Sequence, residues 1–275
     1  GEIGIPANKE AHVADEGRVD VMVSYGGSNG FSVPVEAKVE SYLNFAREVY
    51  REQTRRVEDV VRFTAVRFFI KDAISKNDLA VLCDRLNEVR QQEHLDMLTL
   101  VDGQGTVIVR SRNPSVTGDS QKDDEFVKRA LSEKNALSGT VIIASDELVK
   151  EGADLAVRAH IEVVPTPKAK PTSEIAYKQG MMIKSAVPVL DYDGRLIGVL
   201  YGGNLLNRNY DIVDSIKSVL YRDTKYAGKE IGTVTISQED LRISTNVCNS
   251  DGSRAIGTRV SEEVYNQVLE KGQPW

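Results

Sequence analysis

The 275-residue sequence predicts an α+β protein in which a long N-terminal helix precedes antiparallel sheet modules flanked by helices. Two observations predict this class. Apolar residues recur at three- and four-residue steps from residue 36 to about residue 75, with no proline or glycine, which is typical of an amphipathic helix. From residue 95 onward, apolar runs are separated by Asp-Gly and similar turn pairs, which is typical of antiparallel strands.

Composition and charge exclude several classes of protein. The chain is 41% hydrophobic and 28% charged, which suits a folded protein with a core. Its 35 Lys and Arg against 41 Asp and Glu give a net charge of −6, and the basic residues are scattered, so neither a nucleic-acid nor an anionic-membrane surface is favoured. The sequence has no stretch of 18 apolar residues and no signal peptide. We therefore expect either a cytosolic protein or the excised soluble part of a larger one.

The sequence lacks the motifs of common enzymes and metal sites. It has no GxSxG, HExxH or P-loop. Cys83 and Cys248 are far apart and form no CxxC, and His12, His94 and His160 are dispersed. The sequence therefore predicts no catalytic activity, no cofactor and no metal site for this region.

The N-terminal third divides into an arm and a helix. Residues 1–34 are interpreted as a loosely ordered arm, in which residues 19–25 are a candidate short strand. Residues 35–76 are predicted to form one signalling and dimerisation helix, about 60 Å long at 1.5 Å per residue. Its apolar stripe from Val39 to Phe68 is longer than one module can cover, so we expect a coiled-coil partner. A shorter helix is predicted over residues 77–90.

Two sheet modules are predicted after this helix. The first, residues 77–222, contains hairpins over residues 95–111 and 181–204, further strands over 138–144 and 155–164, and helices near 123–131 and 210–220. The second, residues 223–275, has strands over 231–237 and 241–247 and a helix over 261–270. Because two strands and one helix bury little apolar surface, this module is expected to be incomplete.

Four segments together resemble the double Cache sensors. They are LDMLTLVDGQGTVIVRSRNPSVTGDS, VVPTPKAKP, GMMIKSAVPVLDYDGRLIGVLYGGNLLN and a final segment in which DGSRAIGTRVSEEVY is the most specific part. The family comprises extracytoplasmic ligand-binding regions of bacterial and archaeal transmembrane receptors, notably histidine kinases and chemoreceptors. The resemblance covers about residues 36–275. It implies PAS-like sheets of five or six strands, a small-molecule pocket between sheet and covering loops, and a periplasmic location in an inner-membrane receptor whose catalytic transmitter lies elsewhere.

Several charged residues are candidates for ligand binding. Arg112 closes a predicted strand and can clamp a carboxylate through a bidentate fork. Arg158 and His160 lie two apart on a predicted strand among apolar residues, where an inward charge needs a partner such as a ligand anion. Lys184 interrupts an apolar strand of the central hairpin. Exposed strand-end charges are the alternative explanation for the arginines.

Three further candidates are polar rather than basic. Tyr177 and Tyr201 can supply hydroxyl groups to a ligand or simply pack in a core. Asp119 can orient an arginine or cap the following helix. The sequence predicts that the pocket is bounded by the hairpin strands 181–190 and 195–204 and closed by the Arg112 loop and residues 158–160.

The predicted function is that of a non-catalytic, extracytoplasmic ligand-sensing domain of a transmembrane receptor. A small polar or anionic metabolite, such as an organic acid or an amino-acid-like molecule, is expected to bind the first module. The intact receptor is expected to be a membrane-tethered homodimer. Two alternatives remain open at this point: a dimerisation or protein-interaction module with a vestigial pocket, and a cytosolic PAS-like accessory domain.

Overall fold

The computed structural model describes residues 9–13, 20–25, 35–221, 225–226, 229–230 and 232–273. The helices are α1 (Val35–Ala65), α2 (Phe68–Lys76), α3 (Leu79–Gln92), α4 (Glu125–Glu133), α5 (Ser145–Glu151), α6 (Ala153–Ala159), α7 (Asp211–Tyr221) and α8 (Glu262–Val264), which continues as a π-helical turn, Tyr265–Glu270. The strands are β1 (Lys9–Val13), β2 (Asp20–Tyr25), β3 (Met97–Asp102), β4 (Val107–Arg110), β5 (Leu137–Ile143), β6 (Ile161–Glu162), β7 (Ala176–Tyr177), β8 (Gly180–Leu190), β9 (Leu196–Leu205), β10 (Lys225–Tyr226), β11 (Lys229–Glu230), β12 (Thr233–Gln238) and β13 (Leu241–Thr245).

The chain folds into two compact units. The first, called here the five-stranded unit, consists of Glu52–Ala159 and Lys178–Leu205. The second, the four-stranded unit, consists of Gly1–Arg51, His160–Tyr177 and Leu206–Trp275. Both units combine helices with an antiparallel sheet, which confirms the predicted α+β class.

The five-stranded unit is built on the predicted central hairpin. Its sheet has the order β4-β3-β9-β8-β5, and each neighbouring pair is antiparallel. Strands β8 and β9 pair along most of their length, from Met182 opposite Leu205 to Leu190 opposite Leu196. Helices α4 and α6 pack on β8. The core between them contains Leu148 and Leu155, which are fully buried and contribute to the hydrophobic free energy of folding.

The predicted single helix over residues 35–76 is wrong in one respect, because the structure divides it into α1 and α2. The break is at Arg67, whose backbone is extended with φ −65° and ψ 140°. Just before it, the Thr64 hydroxyl donates to the carbonyl of Val60 at 2.6 Å, a local bond that competes with helix continuation. The three- and four-residue spacing of apolar residues could not predict this break, because the spacing continues through both helices.

The chain itself buries much of the apolar stripe on α1, whereas Phe68 at the end of the stripe lies on α2 and is 67% exposed. Leu43, Ala46 and Val61 on this stripe are at most 4% exposed. The outward face instead carries charged pairs one turn apart, such as Arg51 with Glu48 at 2.8 Å. The stripe therefore gives no reason to expect a coiled-coil partner, contrary to the interpretation of its length.

The predicted strand over residues 155–164 is also corrected. Residues up to Ala159 form helix α6, and only Ile161–Glu162 is a strand, β6. The spacing explains the difference: Leu155 and Ala159, four apart, are fully buried, whereas Val157, which a strand would place on the same face, is 74% exposed. Arg158 is consequently a helical residue.

The four-stranded unit contains more strands than the predicted second module. Strands β1 and β2 lie in the predicted arm, and the rest of that arm falls outside the described residues. They form a sheet of the order β1-β2-β12-β13. Helix α7 packs on β12 and β13, and the backbone N–H of Val164 donates to Gly257 at 2.8 Å. Residues 160–177 and α7, predicted as parts of the first module, thus belong to this unit.

Among the described residues, no helix combines the length and the apolar character that crossing a membrane requires. Cys83 and Cys248, both among the described residues, are free thiols.

Candidate ligand-binding site

A cavity of about 130 Å³ lies in the five-stranded unit. Its apolar lining comes from three places in the chain: Met97 of β3, Val141, Ile142 and Ile143 of β5, and Ala144. Its polar lining consists of Gln121, Asp124, Glu147, Glu151, Lys184 and Tyr201. An apolar cavity of about 150 Å³ is known to hold benzene, so this space suits a molecule of about six non-hydrogen atoms.

Lys184 is the cation in this lining. It lies on β8, is 2% exposed, and its Nζ is 2.6 Å from Oδ2 of Asp124. The same Nζ stands 4.5 Å from the centre of the Tyr201 ring, a cation–π distance. The other oxygen of Asp124 accepts the N–H of Val127 at 3.0 Å and so caps α4. The lysine that interrupts an apolar strand is therefore paired and faces the cavity.

A second polar group of the lining, Glu151, is held by three donors. The Tyr201 hydroxyl and the Arg110 Nε donate to its Oε1 at 2.8 and 3.0 Å, and the Thr99 hydroxyl donates to its Oε2 at 2.7 Å. Burial and the neighbouring charge of Glu151 raise the pKa of Tyr201 well above its usual value, so its hydroxyl remains a donor. Glu151 is thereby fixed as an acceptor for the cavity.

Sheet register brings these groups together. Arg110 pairs with Thr99 across β4 and β3, Thr99 pairs with Tyr201 across β3 and β9, and Tyr201 pairs with Ala186 on β8. Residues directly opposite each other lie on one face of a sheet, and Lys184, two residues before Ala186, shares that face. One row of side chains therefore crosses four strands beneath the cavity.

Arg110 anchors the row to the loop beside it. It is 0% exposed and makes a bidentate pair with Asp119, at 2.6 and 2.9 Å. The hydrogen bond from Arg110 holds the pKa of Asp119 well below its usual range. Gln121 continues the network by donating to Glu147 at 2.9 Å, and Lys150 donates to the other oxygen of Glu147 at 2.6 Å.

The structure brings only some of the predicted site residues together. Lys184 and Tyr201 line the cavity, and Asp119 is linked through Arg110 to the lining residue Glu151. Tyr177 and His160 belong to the four-stranded unit, where the Tyr177 hydroxyl donates to Glu239 at 3.2 Å and His160 is exposed. These two residues are therefore no part of the cavity.

Arg112 and Arg158 lie outside the cavity lining as well. Arg112 Nε donates to Asp154 at 3.3 Å, and Arg158 Nη1 donates to Asp96 at 2.9 Å. Each arginine thus has the acidic partner that a purely structural explanation requires. The expectation of an anionic ligand combined these two arginines with His160 and Lys184, and of these four basic residues Lys184 is the one that lines the cavity.

Comparison with known proteins places this architecture among sensory domains. The family model described as the double sensory domain of two-component sensor kinase matches residues 33–220, about two thirds of the chain, and the model of single cache domain 3 matches residues 204–275. No curated protein matches the sequence.

Several solved structures are similar to this chain. The periplasmic domain of Vibrio cholerae LuxQ is 14% identical, with 79% of this chain and 82% of that chain covered and a TM-score of 0.48. The sensor domain of the V. cholerae histidine kinase DctB is 11% identical, with coverages of 86% and 74% and a TM-score of 0.40. The ligand-binding domain of the Campylobacter jejuni chemoreceptor Tlp3, in complex with L-valine, is 11% identical, with coverages of 86% and 82% and a TM-score of 0.37.

Proposed function

Because the chain belongs to the double Cache family, the double sensory domains of two-component sensor kinases, we propose that its five-stranded unit binds a small polar molecule in the cavity beside Lys184. The bound molecule is the signal of a transmembrane receptor, and this region of the receptor faces the extracytoplasmic side. The region itself carries out no catalysis, which belongs to a transmitter elsewhere in the receptor.

The observation that supports this proposal is the burial of ionised groups around an open space. Lys184 and Glu151 are 2% and 5% exposed, yet both face the cavity. Burying a charge costs several kcal/mol unless it is paired and hydrogen-bonded. Even a paired buried charge can often be replaced by apolar residues of similar volume without loss of stability, so stability alone does not explain these groups. A cavity that keeps such groups in fixed positions is suited to selective recognition of a polar ligand.

A route from the cavity to α1 supports the sensing role. β5 supplies three apolar residues of the cavity lining, and at its start the Ser138 hydroxyl donates to Glu58 of α1 at 2.5 Å. If β5 can take two positions and the ligand binds one of them more tightly, ligand binding favours that position. Because β5 is hydrogen-bonded to α1, the equilibrium of this part of α1 shifts with it. We place signal transmission on this helix.

Lys184→Met is expected to weaken ligand binding at least tenfold. The substitution keeps a side chain of similar length but removes the cation that stands between Asp124 and Tyr201. The measurement is a thermal-shift screen of the purified domain with small amino acids, amines and carboxylates, followed by calorimetric titration of every hit.

The matched control for this test is Arg112→Ala. Arg112 pairs with Asp154 outside the cavity, so this variant should bind every hit as the wild type does. Loss of binding in Arg112→Ala with retention in Lys184→Met would place the site at the arginine and contradict the proposal. A complete screen without any hit would contradict it too.

Pairing of two receptor copies through α1, on a membrane-tethered chain, belongs to the same proposal. The contact is expected on the exposed charged face of α1, because Leu43, Ala46 and Val61 on its apolar stripe are buried. Membrane tethering raises the effective concentration, so a weak contact suffices.

Single cysteines at Arg51 and Arg55 should cross-link between copies of the intact receptor, whereas a cysteine at the fully buried Ala46 should not. Absence of cross-links at both exposed positions would contradict this pairing.

A further inference from the structure

The charge balance and the hydrogen-bond donors of the cavity indicate one class of ligand. We propose that the cavity binds a small aliphatic amine that carries no carboxylate. This inference rests on the proposed function, since it names the ligand of the same site. It differs from the organic acid or amino-acid-like molecule that the sequence led us to expect.

The ionisable groups connected around the cavity contain one more acid than base. The bases are Arg110, Lys150 and Lys184. The acids that contact them are Asp119, Asp124, Glu147 and Glu151. Three of these carboxylates line the cavity, whereas Lys184 is the one ammonium group among the described lining residues. The group as a whole therefore has a net charge of −1 in the absence of a ligand.

A ligand changes this balance according to its own charge. A monocationic amine brings the group to neutrality, a zwitterionic amino acid leaves it at −1, and a carboxylate brings it to −2. Charges interact more strongly in a partly buried pocket than in bulk water, and a charge that is buried without compensation is costly. Electrostatics therefore favours the amine over the amino acid and the amino acid over the carboxylate.

The donors of the lining lead to the same order. Lys184 already donates to Asp124, the Tyr201 hydroxyl to Glu151, and the Gln121 amide to Glu147. Of these donors, only the Lys184 ammonium group has further N–H groups to offer, and a ligand carboxylate that accepted from them would lie beside the negative charge of Asp124. A carboxylate oxygen can accept about two hydrogen bonds, whereas Oε2 of Glu151 and the two oxygens of Glu147 each accept one from the described residues. Acceptor capacity therefore remains for the N–H donors of an ammonium group.

The apolar side of the cavity defines the rest of the ligand. Met97, Val141 and Ile143 lie on the same sheet face as Lys184, which suits an uncharged alkyl chain opposite the acidic residues. With about 130 Å³ available, an amine of about five or six non-hydrogen atoms fits. Short branched alkylamines combine this size with a single positive charge.

Calorimetric titration with matched compounds tests the inference. For each of valine, leucine and isoleucine, the amino acid is compared with the amine that lacks its carboxylate and with the acid that lacks its amino group. We expect at least one of the three amines to bind the wild-type domain, at least tenfold more tightly than its parent amino acid. None of the three acids should show measurable binding.

A pair of variants assigns the effect to the cavity charge. Glu147→Gln removes the excess negative charge and should weaken amine binding at least tenfold. Glu133→Gln, on the exposed side of α4 and paired with Arg129, should leave it unchanged.

The result that overturns the inference is absence of amine binding, or binding of an amino acid or acid as tight as that of its amine. Equal amine affinity in the wild type and in Glu147→Gln overturns it as well. The proposed function survives these outcomes if any other compound of the wider screen binds in a manner that requires Lys184.

Discussion

Replacing Arg110 by methionine is expected to lower the free energy of unfolding by about 3–5 kcal/mol. The guanidinium group is 0% exposed and contacts Glu151 at 3.0 Å and Asp119 at 2.6 Å. The variant leaves both carboxylates without their cation, one of them deeply buried. The loss of a partner is far more destabilising than the net contribution of an intact buried ion pair, because the desolvated charge remains.

Urea denaturation at neutral pH measures this effect. The matched control is Arg129→Met, which removes an arginine of similar pairing, with Glu133 at 2.9 Å, from the exposed face of α4. Exposed pairs contribute little to stability, so the control should unfold close to the wild type. Equal denaturation midpoints of Arg110→Met and the wild type would show that the buried network does not stabilise the sheet.

The same variant should change the acid sensitivity of the domain. Arg110 depresses the pKa of Asp119 in the folded state, so Asp119 contributes stability above its unfolded pKa of about 3.9. That contribution is lost as the pH falls from about 4 toward the lower folded pKa. Arg110→Met should therefore lose less stability than the wild type between pH 5 and pH 3, measured by the same urea titrations at both pH values.

Local patterns were sufficient to predict most of the sheet. The apolar runs on either side of Asp193-Gly194 predicted β8 and β9, and both are present in the five-stranded sheet. The failures occur where two local patterns are equivalent. Residues 155–159 satisfy both a strand and a helix pattern, and only the exposure of Val157 distinguishes them. The pairing of β12 with β2 joins residues about 210 positions apart, which no local signal reports.

The candidate site was predictable only where a residue conflicts with its own strand. Lys184 was identified because a lysine in an apolar strand needs a partner. Arg110 was overlooked in favour of Arg112, although both share one face in an alternating strand. The structure distinguishes them by their partners: Arg110 reaches Glu151, 41 residues away, and Arg112 reaches Asp154, 42 residues away. Glu151 lines the cavity and Asp154 does not, so only the three-dimensional structure shows that the Arg110 pair lies beside the cavity.

The glycines of β9 illustrate a sequence signal with two explanations. Glycines within a strand, such as Gly198, Gly202 and Gly203, leave room for the close approach of either backbone or a ligand. At Gly198 and Gly203 the approaching atoms are backbone carbonyl oxygens of the neighbouring strands, those of Val101 and Ile183. These two glycines therefore serve strand packing and not ligand access.

Gly198→Ala is expected to lower the free energy of unfolding by about 1–3 kcal/mol, the usual cost of overpacking a core. A Cβ at this position would lie 2.3 Å from the carbonyl oxygen of Val101, a distance that real Cβ atoms do not show. The obstacle is backbone in the centre of the sheet, so β3 and β9 must separate to admit the methyl group. That displacement weakens the register that aligns Thr99 with Tyr201.

Gly103→Ala provides the matched control for this prediction. Gly103 lies in the β3–β4 turn, where the nearest atom to an added Cβ is the carbonyl oxygen of Leu196 at 4.0 Å. The same chemical change should therefore alter stability little, while Gly198→Ala lowers both the urea midpoint and the affinity for any ligand that requires Glu151. If the two variants unfold at the same urea concentration, β9 is not held against β3 as tightly as the register implies, and the row of side chains beneath the cavity is not rigid.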